Sequence, residues 1–426
     1  MKTDTTIVAF QHPDEIDDPL TSVLREGARR LLAQAIEAEA DAFLAAMQGA
    51  RLADGRARVV RHGHGPERLI QTGIGPVSVR RAKLRDRGAD AAAECDDERI
   101  TFTSAILPKW ARRTKSLDAL LPVLYLRGIS TGDFQEALTA LLGKDAPNLS
   151  PSVIGRLKEE WQVEYDRWQR RDLSARRYVY IWADGVYLQA RMEDDAACML
   201  VIVGATPEGR KELVGFQVGV RESAQSWREL LVGLKARGLS ATPQIAVGDG
   251  ALGFWKALDE IFPATRHQRC WVHKIVNVLN KVPTSVQPGM KADLREVRDA
   301  PDRATAETAI TVFAEKYGAK YPKAVECLTK DRDALLAFFD FPAEHWDHLR
   351  TANPIESVFA TVRHRTVRTK GALSQNTARL MVFKLIIAAS KTWRRLKGEN
   401  RLPMLVAGVK FTDGVAITAT SDQRAA

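Results

Sequence analysis

"QIAVGDGALGFW", residues 244–255, admits two incompatible readings. Gly248, Gly250 and Gly253 spell G-x-G-x-x-G between an apolar strand-like run and a helix-like run, the form of a dinucleotide-binding fingerprint. Asp249 lies inside the same motif, at the mouth of the strand, where a carboxylate can hold a metal ion. A fingerprint belongs to the first βαβ unit of its domain and needs an acid about 20 residues on to hold a ribose. Here three apolar, β-rich runs come first: "YVYIWADGVYLQA" (178–190), "ACMLVIVGATP" (197–207) and "KELVGFQVGVRE" (211–222). From Leu252 to Asn280 the only acids are Asp259 and Glu260, inside the next helical run. The context favours a site-bearing strand over a cofactor cradle.

Polar turns between the three runs predict an antiparallel meander. A helix follows over 223–238, closed by Gly238. Then come strand four, a helix ended by Pro263, and a fifth strand over "TRHQRCWVH" (265–273). Three antiparallel strands, a helix, a strand, a helix and a strand is the element order of the ribonuclease H fold, an α/β fold on a mixed sheet. Residues 274–350 read as mostly helical, and two further helices begin at "NPIESVFATVRHRT" (353–366) and "TARLMVFKLIIAASKTWRRLKG" (377–398).

Upstream, 22–48 is one amphipathic helix and 56–86 a small hairpin. Within 103–172, "STGDFQEALTALLG" (130–143) and a helix capped by Ser150 with Pro151 at its first position suggest a helix-turn-helix-like, DNA-binding region. The expected divisions are 1–99, 100–174, 175–273, 274–350 as a helical insertion, and 351–426.

Hydrophobic residues at 45% and charged residues at 27% of 426 predict a soluble globular chain. No run of about 18 apolar residues predicts a membrane span. The acidic start, "MKTDTTIVAFQHPDEIDDPL", lacks the pattern of a secretory signal. Four scattered cysteines without C-x-x-C fit a reducing compartment. The net charge of +10 is unevenly placed: Arg350 to Arg401 carries twelve Lys and Arg against Glu356 and Glu399. A second basic knot is "PKWARRTKS" (108–116), with Arg112, Arg113 and Lys115. Clustered cations beside aromatic residues suit a polyanion, although a solvated helix face has the same composition.

Three acids draw attention, and each has a plain structural alternative. Asp184 before Gly185 suits a turn. Asp249 suits a helix cap. Glu356 completes a capping box in which Asn353 caps and Pro354 takes the first helical position. As a set they mean more. Strands one and four are neighbours in a ribonuclease H sheet, so Asp184 and Asp249 fall side by side, and a helix packed on the sheet can add Glu356. Three converging carboxylates repel unless cations neutralise them. Mg²⁺ suits such oxygen ligands, and two ions about 4 Å apart can serve an in-line phosphoryl transfer. The basic run from Arg363 through Arg365, Arg368 and Lys370 would then follow a DNA backbone. A separate zinc reading pairs Cys270 and His273 with His345 and His348, at a spacing far from that of a finger.

With these residues in view, the chain resembles bacterial Mutator-type insertion-sequence transposases, relatives of the plant Mutator elements. The similarity runs through "QTGIGPVSVRRAKLRDR", "LYLRGISTGDFQEAL", "LSPSVIGRLKEEW", "YVYIWADGVYL", "AVGDGALGFW", "QRCWVHK", "NPIESVFATVRHRTVRTKG" and "FKLIIAASKTWRRLKG". The resemblance implies an Asp-Asp-Glu transposase with a ribonuclease H-like catalytic domain and a mostly helical insertion before the Glu. Its acids fall on Asp184, Asp249 and Glu356, and its C-x-x-H signature on Cys270 and His273. It further implies two Mg²⁺ ions, with Mn²⁺ as a substitute. The expected partners are double-stranded DNA (terminal inverted repeats and target) and further copies of the chain in a dimer or larger synaptic assembly. The expected location is the bacterial cytoplasm, at the nucleoid. A hydrolytic nuclease and a non-catalytic DNA-binding derivative are the competing functions.

Overall fold

The computed structural model describes residues 19–73, 75–88, 100–107, 111–114, 117, 120, 124, 151–187, 197–250, 252–368 and 374–417. The chain divides into two compact units, Met1–Leu157 and Lys158–Ala426.

In the first unit, helix α1 (Pro19–Ala46) packs on an antiparallel hairpin of β1 (Val59–Thr72) and β2 (Gly75–Asp86). The hairpin lies where turn residues separate the alternating runs. Its core is small: Ile36 from the helix, Ile70, Val77 and Val79 from the strands, and Leu107. The Asp86 carboxylate, its side chain almost wholly buried, accepts from the Arg58 guanidinium at 3.0 Å and from the backbone N–H groups of Gly88 and Ile100. Burial opposes the charge on Asp86, yet these donors hold its pKa below the ordinary carboxylate value. Gln71 bonds the segment 111–114 through its N–H to Arg112 O and its C=O to Thr114 N, both 2.9 Å. Residues 130–143 and Ser150 lie outside the described residues. The helix expected after Ser150 is present as α2, Pro151–Gln169.

The second unit holds a five-stranded mixed sheet. Strands β3 (Tyr180–Tyr187), β4 (Ala197–Ala205) and β5 (Lys211–Val220) form the antiparallel meander. Helix α3 (Ala224–Ala236) follows, with Ser223 Oγ accepting from Ser226 N at its start. Next come β6 (Ile245–Gly248), helix α4 (Leu252–Ile261) and β7 (Arg266–Arg269). The spatial order is β5-β4-β3-β6-β7, with β6 parallel to both β3 and β7. The first and fourth strands of the meander-plus-crossover are therefore neighbours, as the sequence predicts. The fifth strand is shorter than expected: it stops at Arg269, and Cys270 is the N-cap of helix α5, Trp271–Leu279.

Alternation along the strands sorts the two faces. Ile181, Ala183 and Ala246 point to one layer and pack with Trp227, Leu230, Leu234, Phe254 and Leu258 of α3 and α4. Tyr180 and Trp182 point to the other. There the Tyr180 hydroxyl meets His345 Nδ1 at 2.7 Å, and Trp182 Nε1 donates to the His348 carbonyl at 2.9 Å. That layer is built by the helical segment α6 (Gln287–Arg298), α7 (Arg303–Gly318), α8 (Pro322–Thr329), α9 (Arg332–Leu336) and α10 (Trp346–Leu349), then α11 (Asn353–Arg368) and α12 (Gln375–Ser390). Phe383 of α12 packs on Tyr165 of α2 and on Phe216 of β5, with ring centroids 5.2 and 6.2 Å away.

The three glycines of the opening stretch have separate structural reasons. A Cβ on Gly248 would lie 3.1 Å from the Trp255 ring. Gly250 adopts φ +106°, a conformation that only glycine takes without strain, and the Arg269 guanidinium occupies the place of its Cβ. Gly253 lets α4 cross directly over backbone atoms of residues 222–224.

Candidate active site

Register brings the first two acids together. The last parallel pair between β3 and β6 is Ala183 with Gly248. Asp184 is the next residue of β3, which runs on to Tyr187, and Asp249 directly follows the end of β6, so the two sit where the parallel pairing of neighbours about 4.8 Å apart stops. The carboxyl ends of parallel strands are where open α/β sheets bind ligands. The Asp-Gly pair at 184–185 makes no turn: both residues stay in β3, opposite Val201 and Leu200 of β4.

Asp184 is 8% exposed, and its Oδ1 accepts from the Gly185 N–H at 2.8 Å. Burial, then the charge of Asp249, then those of Glu222 and Glu356, raise its pKa from 3.8 to about 8. Asp249 and Glu356 thus both act electrostatically on Asp184.

Glu356 enters from the first turn of α11, which packs on β3. The capping box that was the structural alternative for Glu356 is not formed. The helix begins at Asn353, and the Ala352 carbonyl accepts from the N–H groups of Ile355 and Glu356 at 2.9 and 3.0 Å. Glu356 Oε1 is instead buried without a hydrogen-bond partner. Its neighbour is His273 Nδ1 at 3.7 Å, which is also buried and unpartnered. Ligand atoms of Cys270, His273 and Glu356 lie within 4.8 Å of one another. Cys270 Sγ accepts from the Ala352 N–H at 3.3 Å, and burial pushes its thiol pKa up. The C-x-x-H pair thus ties the start of α5 to the start of α11, next to Glu356.

The zinc reading with His345 and His348 fails. His345 uses both ring nitrogens, Nδ1 with Tyr180 and Nε2 with the Gly398 carbonyl, and His348 Nε2 accepts from Lys397 N.

A fourth acid, Glu222, does not stand out in the sequence. It follows β5 directly, after Arg221 in a left-handed conformation with φ 56°. Its carboxylate occupies the place where a Cβ on Gly185 would stand. Burial and then Asp249 raise its pKa from 4.5 to about 7. The available signal is topological: β5 runs antiparallel to β4, so its end meets the same sheet edge as the end of β3.

The basic residues divide. Of the twelve cations between 350 and 401, at least five are engaged within the fold. Arg350 pairs with Asp299 and Asp347, Lys384 with Glu164, Arg395 with Glu399 and Arg401 with Glu344, while Arg379 bonds Gln162 and stacks on Tyr165. For these the structural reading of the charge run holds. Arg363, Arg365 and Arg368 lie on α11 beyond Glu356, and Arg363 is exposed. Arg112 is exposed and Arg113 half-buried beside β1. Lys115 and Lys370 lie outside the described residues.

A family model described as "Transposase, Mutator family" matches residues 2–395. The chain belongs to the Mutator family of transposases. It is 51% identical over 301 residues to the transposase for insertion sequence element IST2 of Acidithiobacillus ferrooxidans, covering 68% of this chain and 99% of that relative. It is 48% identical over 306 residues to the transposase for IS6120 of Mycolicibacterium smegmatis, covering 72% and 94%. A more distant relative, the transposase for ISRM5 of Rhizobium meliloti (strain 1021), is 26% identical over 372 residues, covering 87% and 88%. In this Mutator-family chain, no helix among the described residues is long and apolar enough to cross a membrane.

Proposed function

We propose that this Mutator-family transposase cuts and joins DNA at Asp184, Asp249 and Glu356, on a ribonuclease H-like core. The observation that carries the proposal is the adjacency of Asp184 and Asp249 just past the last parallel pair of β3 and β6, with Glu356 acting on the same buried carboxylate. The donor set fits hard divalent cations: clustered carboxylates, one of them buried, and an orphaned Glu356 oxygen. Mg²⁺, two ions with Mn²⁺ as a substitute, would supply nucleophile activation and stabilisation of the leaving oxygen. Asp184, Asp249 and Glu356 would hold them, with His273 Nδ1 3.7 Å from Glu356 Oε1.

The reaction is phosphoryl transfer in two stages. Hydrolysis of the phosphodiester at an element end leaves a free 3′-hydroxyl. That hydroxyl then attacks a target phosphodiester, forming one P–O bond as another breaks. Both stages use the same carboxylates and need no covalent link to the protein. The N-terminal regions 1–99 and 100–174 would hold the terminal inverted repeats, with Arg112, Arg113 and Lys115 on phosphates. Arg363, Arg365, Arg368 and Lys370, in the second part of the catalytic core (175–273 and 351–426) that follows the 274–350 insertion along the chain, would contact the DNA backbone. Two ends must be held together, so the working form is a dimer or larger assembly, in the bacterial cytoplasm at the nucleoid.

The test is incubation with DNA carrying the element's own ends, with Mg²⁺ or with chelator. The expected result is Mg²⁺-dependent nicking at the ends followed by joining to target. Nicking without joining would indicate a hydrolytic nuclease, and binding without nicking a non-catalytic derivative.

Glu222→Gln gives a separate expectation. A carboxylate that tunes the site without being one of the three should cost about 10–100-fold in activity or metal affinity when neutralised. Cleavage rates across a Mg²⁺ titration should show saturation displaced to higher concentration. An unchanged titration would place Glu222 outside the site.

A further inference from the structure

A cavity of about 270 Å³ opens at the end of β7, lined by Arg269, Lys274, Asn277, Asn280, Lys281, Cys327 and Lys330. We infer that this cavity is a phosphate-binding subsite that seats the backbone of the DNA strand being cut, beside the scissile phosphodiester; the inference rests on the proposed function.

Its floor is an unbalanced charge cluster. The Lys274 side chain is 1% exposed and that of Arg269 12%. Both lean on one carboxylate, Asp331: Lys274 pairs with it closely, and Arg269 Nη2 approaches to 3.5 Å. Lys274 also donates to the Cys327 carbonyl at 2.8 Å, and Arg269 Nη1 to the Gly250 carbonyl at 3.3 Å. Arg269 Nε is buried with no acceptor. Two cations against one anion, with a donor left over, is a costly arrangement until an anion with spare oxygens arrives.

The rim supplies more donors of the right kind. Lys274, Asn277 and Lys281 follow one another at helical spacing along and just past α5. Lys330 reaches in from the C-cap of α8. Among the described residues neither Lys281 nor Lys330 has an acidic partner. Lysine ammonium groups and asparagine amides are common partners of DNA phosphate oxygens. Position selects the strand: Arg269 pairs in register with Gly248, the residue before Asp249. A strand cut at the acids carries its next phosphates past this opening.

Helix C-termini attract cations without any ligand, which would explain Lys281 and Lys330 but not the orphaned Arg269 Nε or the two asparagines. The experiment separates these explanations. Full-length wild type and Lys281→Ala/Lys330→Ala are titrated with a labelled duplex bearing an element end, over a range of salt. A second pair, Lys291→Ala/Lys323→Ala, removes the same charge elsewhere. The slope of log affinity against log salt should fall by about 0.9 for each phosphate that the pocket variant no longer neutralises, and stay at the wild-type value in the control. Equal changes in both pairs, or an unchanged slope with only a lower melting temperature, overturn the subsite. Inorganic pyrophosphate is added as competitor. If it raises the wild-type melting temperature while the pocket variant binds DNA normally, the ligand is a free phosphate compound and the DNA assignment falls. Wild type that binds no DNA overturns the functional proposal, and the subsite with it.

Discussion

Asp184→Asn is expected to stabilise the metal-free protein while reducing DNA cleavage by at least about a hundredfold to a thousandfold, the scale of losing one preorganised electrostatic contact in a site. The two effects have one origin. Asp184 titrates near 3.8 in an unfolded chain and near 8 in the folded one, and Glu222 near 4.5 and near 7. Between pH 4 and 8 the native state therefore binds more protons than the unfolded state, so stability falls as pH rises through that window. Asparagine carries no charge and removes the larger part of the slope. Thermal unfolding in chelator should show wild type losing melting temperature from pH 5 to pH 8, with Asp184→Asn flatter and several degrees higher at pH 8. Mg²⁺ should restore the wild type at pH 8, by about 2.7 kcal/mol at a hundred times its Kd, and should do little for the variant. A wild-type melting temperature that climbs with pH would mean the carboxylates are not confined together.

Gly253→Ala should destabilise the protein by about 2–3 kcal/mol, the upper range for an inserted methyl in a packed site, even though alanine is the better helix former by about 1 kcal/mol. Its Cβ would collide with the carbonyl oxygen of Glu222 and lie 2.8 Å from the Ala224 N–H. These are backbone atoms, so the strain is relieved only by moving α4 away from the β5–α3 junction. That junction carries Glu222, and the loop before α4 carries Asp249, so activity should fall together with stability. Chemical denaturation should report a lower midpoint at unchanged slope. Wild-type stability in Gly253→Ala would show that the crossing is looser than described.

The order of the sheet is legible in the sequence because periodicity marks strands and helices, and their succession matches the ribonuclease H element order, in which the first and fourth strands are neighbours. Asp184 and Asp249 follow from that order, since one lies in the first strand and the other just after the fourth, although β3, which the sequence suggests ends at Asp184, runs on to Tyr187. Glu222 escapes because its role depends on two empty Cβ positions, at Gly185 and Gly253, which a linear reading sees only as glycine. The capping box suggested at Asn353 falls one residue out of place: local pattern fits a cap, but the Ala352 carbonyl takes that role and leaves Glu356 facing His273. The basic stretch after Arg350 looks like one stripe because composition cannot reveal partners such as Glu164 and Glu344, far away in sequence. Arg269 and Lys274 are inconspicuous for the converse reason: their shared partner, Asp331, lies more than fifty residues on.

The proposed metal-dependent strand-cutting site stands or falls on Asp249, the residue a fingerprint search would skip. Asp249→Asn, assayed beside wild type with Mg²⁺ on DNA bearing the element ends, tests it most directly. The variant is expected to bind the ends with wild-type affinity and neither to nick nor to join them. Nicking and joining at the wild-type rate by Asp249→Asn would contradict the proposed site.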